Sequence, residues 1–155
     1  MASTQLDQLD YKILQMLSGN ARKPYLEIAR ECGVSGAAIH QRIQKLTQMG
    51  VFKGAVSIVN PASVGYDTCA YIGFYLHDPS KFDEVVERIK AIPEVVECHF
   101  TTGKYDMFIK MYGRTNEDLL RVIHSELSSL GSARTETLIS LQEVFHRPIP
   151  IKHEK

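Results

Sequence analysis

The apolar positions of residues 1–60 recur at three- and four-residue intervals, in blocks separated by glycine and polar breaks. Leu9, Ile13, Leu14 and Leu17 predict a first helix from about Asp7 to Leu17, ended by Ser18-Gly19-Asn20. Pro24 suits the first turn of a second helix, where its missing N–H costs nothing, and Ile28, Ala29 and Cys32 give that helix an inner face. Gly33-Val34-Ser35 supplies a tight turn. Gly33 can adopt the left-handed conformation that ends one helix, and Ser35 can cap the next. Ile39, Ile43 and Leu46 then mark the buried stripe of a third helix that stops at Gly50. A short helix, a turn and a longer helix at this spacing predict a helix-turn-helix. Val51-Phe52-Lys53-Gly54 opens an extended segment through Ile58, read as the basic hairpin of a wing.

Beyond Asn60-Pro61 and Gly65 the period changes. Residues 69–76, CAYIGFYL, are rich in aromatic and branched side chains and predict a strand, broken by Asp78-Pro79-Ser80. Phe82, Val85, Val86, Ile89 and Ile92 predict an amphipathic helix ended by Pro93. Two strands are expected at 95–101 and 107–112, then a helix through Leu119, Leu120, Ile123, Leu127 and Leu130. A last long strand is expected from Thr135 to Phe145. The order β-α-β-β-α-β is that of the ferredoxin-like fold. The class expected is therefore α+β, with a winged helix-turn-helix over 1–61 followed by a ferredoxin-like domain over 62–155. Such a sheet carries both helices on one face, and a homodimer is the simplest cover for the other.

With 155 residues and 44% hydrophobic content, the chain has room for one medium domain or two small ones. No apolar run approaches the roughly 20 residues of a membrane helix, so a cytoplasmic protein without a membrane partner is expected. Cys32, Cys69 and Cys98 are widely spaced and form no CxxC pair, which predicts buried free thiols. Formal net charge is zero, but its distribution is uneven. Residues 1–60 carry seven Lys/Arg against four Asp/Glu, and residues 61–155 carry eleven against fourteen. That asymmetry fits a basic nucleic-acid module joined to an acidic assembly or regulatory one. Enzyme chemistry finds no support: there is no nucleophile elbow, phosphate-binding glycine loop or metal-ligand cluster. His77, His99, His124 and His146 are scattered over different elements. No catalytic residue, metal or cofactor is expected.

On a helical wheel with Ile39 at the origin, Ile43 and Leu46 fall within about 40° of it. Ala37, Gln41, Gln44 and Gln48 lie on the far side, flanked by Ala38 and Lys45. In a major groove Gln41 suits adenine, and alanine methyls suit the thymine methyl. His40, Arg42 and Lys45 sit on the flanks, placed for phosphates or groove edges, with Arg22 and Lys53 adding backbone contacts from the first loop and the wing. Ser35 completes the set at the helix start. The plain alternative for each residue is a solvated helix face.

Residues 101–106, TTGKYD, connect two strands. Gly103 permits a tight turn that presents N–H groups to a carboxylate, and Asp106 suits an ammonium group. The plain alternative is that Gly103 only makes a hairpin turn and Asp106 caps it. In the last strand Thr135, Thr137 and Ser140 offer hydroxyls.

Five stretches together, LDQLDYKILQMLSGNAR, GVSGAAIHQRIQKLTQMGVFKG, VGYD at 64–67, TTGKYDMFIK at 101–110 and TETLISLQ at 135–142, resemble the Lrp/AsnC family of transcriptional regulators. The resemblance covers nearly the whole chain, and the last two stretches lie on the AsnC side of the family. It implies binding to double-stranded DNA, a dimer built on the second domain that often assembles to an octamer, and an amino-acid effector held between dimers. It also implies an effector pocket at 101–106 and in the last strand, hence at Thr101, Thr102, Gly103, Tyr105, Asp106, Thr135, Thr137, Leu138 and Ser140. Asparagine is the effector expected. The alternative is an architectural DNA-binding protein of nucleoid type with no small-molecule signal. One departure stands out: where many members carry Pro and then Thr early in the recognition helix, this chain has Gly36-Ala37-Ala38, which leaves the operator preference open.

Overall fold

The computed structural model describes residues 6–130 and 132–152. It divides into two compact units, Met1–Ser57 with Phe145–Lys155, and Ile58–Val144.

The first unit is built on α1 (Gln8–Gly19), α2 (Tyr25–Cys32) and α3 (Gly36–Gln48). Pro24 stands one residue earlier than expected, as the N-cap of α2. Gly33 ends α2 in the left-handed region at φ 67°, and its successor Val34 donates its N–H to the Ala29 carbonyl at 3.0 Å. Ser35 caps α3, its hydroxyl oxygen accepting from the Ala38 N–H at 3.1 Å. The anticipated stripes meet in one core of Ile13, Leu17, Ile28, Ala29, Ile39 and Ile43, against which Leu9 and Cys32 pack part-buried. Residues 145–152 form no regular secondary structure, and the Ile151 carbonyl accepts from Gln15 Nε2 at 2.8 Å.

The wing hairpin does not form. Residues 52–60 form no regular secondary structure and pair with no strand. A hairpin needs a returning strand, and Asn60-Pro61 leads instead into a 3-10 turn at Ala62–Val64.

The second unit has strands β1 (Thr68–Leu76), β2 (Val95–Phe100), β3 (Met107–Gly113) and β4 (Ser132–Ser140), in sheet order β2-β3-β1-β4 and antiparallel throughout. This is the expected β-α-β-β-α-β arrangement. Ala70, Ile72 and Phe74 of β1 and Met107, Ile109 and Met111 of β3 share a core with Val85 and Ile89 of α4 (Phe82–Lys90) and Leu119 and Val122 of α5 (Asn116–Val122). Alternate residues point to the other face: Cys69, Tyr71 and Gly73 opposite Tyr112, Lys110 and Phe108. Helix α5 does not continue regularly to Leu130. It passes into a π-turn at Ile123–Leu127 and a 3-10 turn at Ser128–Leu130, which keeps Ile123, Leu127 and Leu130 buried.

Strand β4 ends at Ser140, short of the expected Phe145. Its partner β1 begins at Thr68, with Cys69 opposite Ser140, so no ladder remains for Leu141 onward. Cys98 departs from the expected burial: it is an exposed free thiol on the edge strand β2, and Cys32 and Cys69 are half-buried. No helix among the described residues is long and apolar enough to cross a membrane.

Gly33→Ala places a Cβ in the left-handed region and should destabilise the first unit by about 1–2 kcal/mol, read as a lower melting midpoint by circular dichroism. An unchanged midpoint would mean that the turn does not require the φ of 67° observed there.

Candidate nucleic-acid interface and effector region

The outer face of α3 follows from its inner one. With Ile39, Ile43 and Leu46 buried, Ala37, Gln41, Gln44, Lys45 and Gln48 are exposed, and Ala38 is half-buried beside them. Gly36 starts the helix against Leu26 of α2: a Cβ there would lie 3.3 Å from Leu26 Cδ2. Leu26 is 65% exposed, so the leading end of α3 is an apolar tip of Leu26, Gly36 and Ala37. Arg22 and Lys53 are exposed, and the Arg22 N–H donates to Asn20 Oδ1 at 3.0 Å. His40 stands edge-on to the Tyr25 ring at 4.8 Å between centroids, which holds it to the side of the helix. The Ser35 hydroxyl oxygen is engaged as the cap described above.

Arg42 is half-buried on the flank of α3, where the helical wheel places it, and its guanidinium is engaged within the domain. Its Nη1 donates to Asp10 Oδ1 at 3.1 Å and also to Asp7 Oδ2. Asp10 has 0% exposure, a buried carboxylate that apolar periodicity gives no means of finding. Its Oδ2 accepts from the Asp7 N–H at 3.1 Å, while Asp7 Oδ1 accepts from the Asp10 N–H at 2.9 Å, a reciprocal cap on α1. The Asp10 backbone N–H and then the Arg42 guanidinium hold the Asp7 carboxyl below the usual carboxylate range. The sequence signal was present as Asp7 followed three residues later by Asp10, a capping-box spacing with Asp in place of Glu.

In the second unit, the 101–106 turn is held from within. The Thr101 N–H donates to the Asp106 carbonyl at 2.9 Å, and the Thr101 hydroxyl to the Tyr105 carbonyl at 2.7 Å. Asp106 joins the turn to the end of β1: its N–H donates to the Phe74 carbonyl at 3.1 Å, and its Oδ2 accepts from the Leu76 N–H at 2.9 Å. Thr102, Gly103 and Lys104 are left exposed at the tip, with Gly103 at φ 102°. The Tyr105 ring lies across Gly73, where a Cβ would come within 2.5 Å of it.

Glu136 joins this region although strand alternation alone does not mark it. Its carboxylate accepts from Lys104 Nζ at 2.5 Å and from the Tyr105 hydroxyl, tying β4 to the turn. Lys104 and then Tyr105 draw its carboxyl below the usual range. Strand alternation divides the β4 candidates. Thr135 and Thr137 stand opposite Phe74 and Ile72 on the helix-bearing face, whereas Leu138 and Ser140 stand opposite Tyr71 and Cys69 on the other. A cleft of about 490 Å³ on that second face is lined by Tyr71, Tyr112, Cys69, Asp67, Ser140 and Glu143 among others, so Ser140 alone of the effector candidates borders it. Lys110 lies on the same face, 8% exposed, with Nζ 3.6 Å from Glu97 and 3.7 Å from Glu143 and facing the Tyr71 and Tyr112 rings.

A helix-turn-helix with a polar outer face, joined to a ferredoxin-like domain, defines a two-domain DNA-binding regulator. Residues 6–47 match the AsnC-type helix-turn-helix domain and residues 69–150 the Lrp/AsnC ligand binding domain. The chain is 38% identical to Regulatory protein AsnC of Haemophilus influenzae, over 93% of its own length and 97% of that protein's. It is 37% identical to Regulatory protein AsnC of Escherichia coli K12, over 96% and 99%. The solved structure of E. coli AsnC superposes with a TM-score of 0.85, covering 94% of this chain and 98% of that one. The chain belongs to the Lrp/AsnC family. It is an AsnC-type transcriptional regulator with a DNA-binding and a ligand-binding domain, and not an enzyme.

Because the folded state lowers the Asp7 pKa, Asp7 contributes stability that is fully present above its unfolded value near 4 and lost as pH falls through the folded value. Acid titration of the melting midpoint should show a decline beginning below about pH 4. Asp7→Asn should reduce that decline; an identical acid limb in the variant would remove Asp7 as its source.

Gly73→Ala forces the Tyr105 ring from its seat and should break the Tyr105–Glu136 hydrogen bond. The check is loss of the Tyr105 near-ultraviolet signature relative to wild type, using Tyr105→Phe as the reference for that signal.

Proposed function

We propose that α3 reads operator DNA through Ala37, Ala38 and Gln41, with His40 and Lys45 at the groove edges and Arg22, Ser35 and Lys53 on the backbone, and that a small amino acid, asparagine first, controls the assembly that presents this helix. The observation that carries the DNA reading is the outer face of α3 itself: small and amide side chains standing free opposite a fully buried stripe. Glutamine pairs with adenine edges, and the apolar tip of Leu26, Gly36 and Ala37 suits thymine methyls, so the preference is for A·T pairs at the leading end of the helix. The regulator acts in the cytoplasm, where DNA and free amino acids meet.

For the effector, the exposed turn at Thr102 and Gly103 supplies backbone N–H groups for a carboxylate. Thr101, Tyr105 and Asp106 hold that turn in shape through the bonds given above. Asp106 retains lone pairs beyond its bond to Leu76 for a ligand ammonium group. Thr135, Thr137, Leu138 and Ser140 lie on opposite faces of one strand, so a pocket drawing on all of them requires a second copy of the chain. Dimers through the sheet face that bears Tyr71 and Phe108, assembled further to an octamer, supply that second copy. Ligand that binds one assembly better than another shifts the population and with it the number of half-sites engaged together.

Against a duplex selected by the wild-type protein from a random pool, Lys45→Ala should lower the slope of log K against log salt by about 0.9. Gln41→Ala should instead lose about 1–3 kcal/mol of discrimination at a single base pair. If both variants match wild type in gel-shift titrations across salt, α3 is not the reading helix. Calorimetry with each proteinogenic amino acid, and light scattering with and without asparagine, tests the effector. Heat from asparagine that is lost in Asp106→Ala is expected. No heat from any amino acid would favour the architectural reading and leave DNA binding standing.

A further inference from the structure

The carboxylates at the start of α1 carry a job that capping alone does not explain. Capping uses one oxygen from each: Asp7 Oδ1 and Asp10 Oδ2 satisfy the two backbone N–H groups. The two remaining oxygens, Asp7 Oδ2 and Asp10 Oδ1, converge on a single nitrogen, Nη1 of Arg42, from a helix 32 residues further along the chain. Asp10 is fully buried, while the Arg42 side chain keeps 32% of its surface and Asp7 50%. A buried carboxylate left without its cation is strongly unfavourable, so α3 cannot rotate away from Arg42's seat without exposing that cost.

Apolar packing does not fix the roll of a helix so tightly. Apolar burial is non-directional, so it opposes a small roll of a helix about its own axis less than a directional, charge-assisted hydrogen bond does. At the radius of about 5–6 Å of a helix with its side chains, a roll of about 20° displaces an outer side-chain tip by about 2 Å. That displacement exceeds the range over which a hydrogen bond to a base edge survives. Gln41 adjoins Arg42 directly and Lys45 lies one turn on, so a grip at Arg42 is transmitted to both.

We propose that Asp7, Asp10 and Arg42 form a positioning clamp that sets the roll of the recognition helix, so that Arg42 governs operator discrimination from inside the domain without contacting a phosphate. This rests on α3 being the base-reading helix.

The test uses the full-length protein and two duplexes of equal length, one selected by wild type from a random pool and one scrambled. Arg42→Ala, Arg42→Lys, Asp10→Asn and Asp7→Asn are each titrated across salt, at a temperature where circular dichroism shows the variant folded. Arg42→Ala should lower affinity for the selected duplex at least tenfold while leaving the scrambled duplex and the salt slope as in wild type. Asp10→Asn removes a negative charge, so for simple electrostatics it would strengthen both complexes; the clamp instead requires it to lower the ratio of selected to scrambled affinity. Asp7→Asn, altering the exposed partner, should do so more weakly, and Arg42→Lys should restore part of the Arg42→Ala loss. A salt slope reduced by about one in Arg42→Ala, with equal weakening of both duplexes, would make Arg42 a phosphate contact and overturn the clamp. So would unchanged discrimination in both folded Arg42→Ala and Asp10→Asn, with wild type still binding. Wild type that fails to prefer any duplex would overturn the base-reading role of α3, and the clamp with it.

Discussion

Strand β1 has neighbours on both sides, and its strict alternation is the constraint around which the second unit is organised. Ala70, Ile72 and Phe74 can be buried under α4 and α5 only if Cys69, Tyr71 and Gly73 point the other way. That opposite set fixes what the second face can contain. Tyr71 brings Phe108 to a stacking distance of 6.0 Å, and Gly73 leaves the space into which the Tyr105 ring settles. The turn that follows β2 is thereby anchored by a missing side chain two strands away. A one-residue slip in β1 would exchange the two faces and dismantle both the core and the turn.

The first unit rests on a different balance. Its apolar helices are short, and the core they share is small, so the polar contacts at its margins carry specificity that packing does not provide. The Gly33 turn, the Ser35 cap and the reciprocal Asp7–Asp10 cap each satisfy backbone groups that a short helix leaves unpaired. Arg42 extends that logic from within one helix to between two.

What the sequence revealed follows from the range of each interaction. Ile39, Ile43 and Leu46, or Ala70, Ile72 and Phe74, announce themselves because burial repeats with the local period. The helix-turn-helix, the β-α-β-β-α-β order and most element bounds were legible on that basis. The capping spacing of Asp7 and Asp10 is legible too, but the burial of Asp10 against Arg42 is not, because that partner is 32 residues away and a buried acid breaks the pattern that the period detects. The expected wing failed at residues 52–60 because extended character is local, whereas pairing needs a second strand. The β4 end was overshot for the same reason: Leu141 and Val144 have strand propensity but no neighbour beyond Thr68. In the effector region the turn at 101–106 was visible. Glu136 was not, since a charged residue in a strand reads as a solvent-facing position unless its cross-strand partners are known.

The return of residues 145–152 to the first unit makes that unit discontinuous along the chain, with the whole of the second inserted between its parts. A ribosome delivers α1, α2 and α3 early, but the carbonyl of Ile151 that meets Gln15 arrives only after β4 has been made. The hydrogen bond between Gln15 and Ile151 therefore forms after the three helices and the sheet have been made. A product truncated within the sheet keeps α1, α2 and α3 but lacks that one late contact.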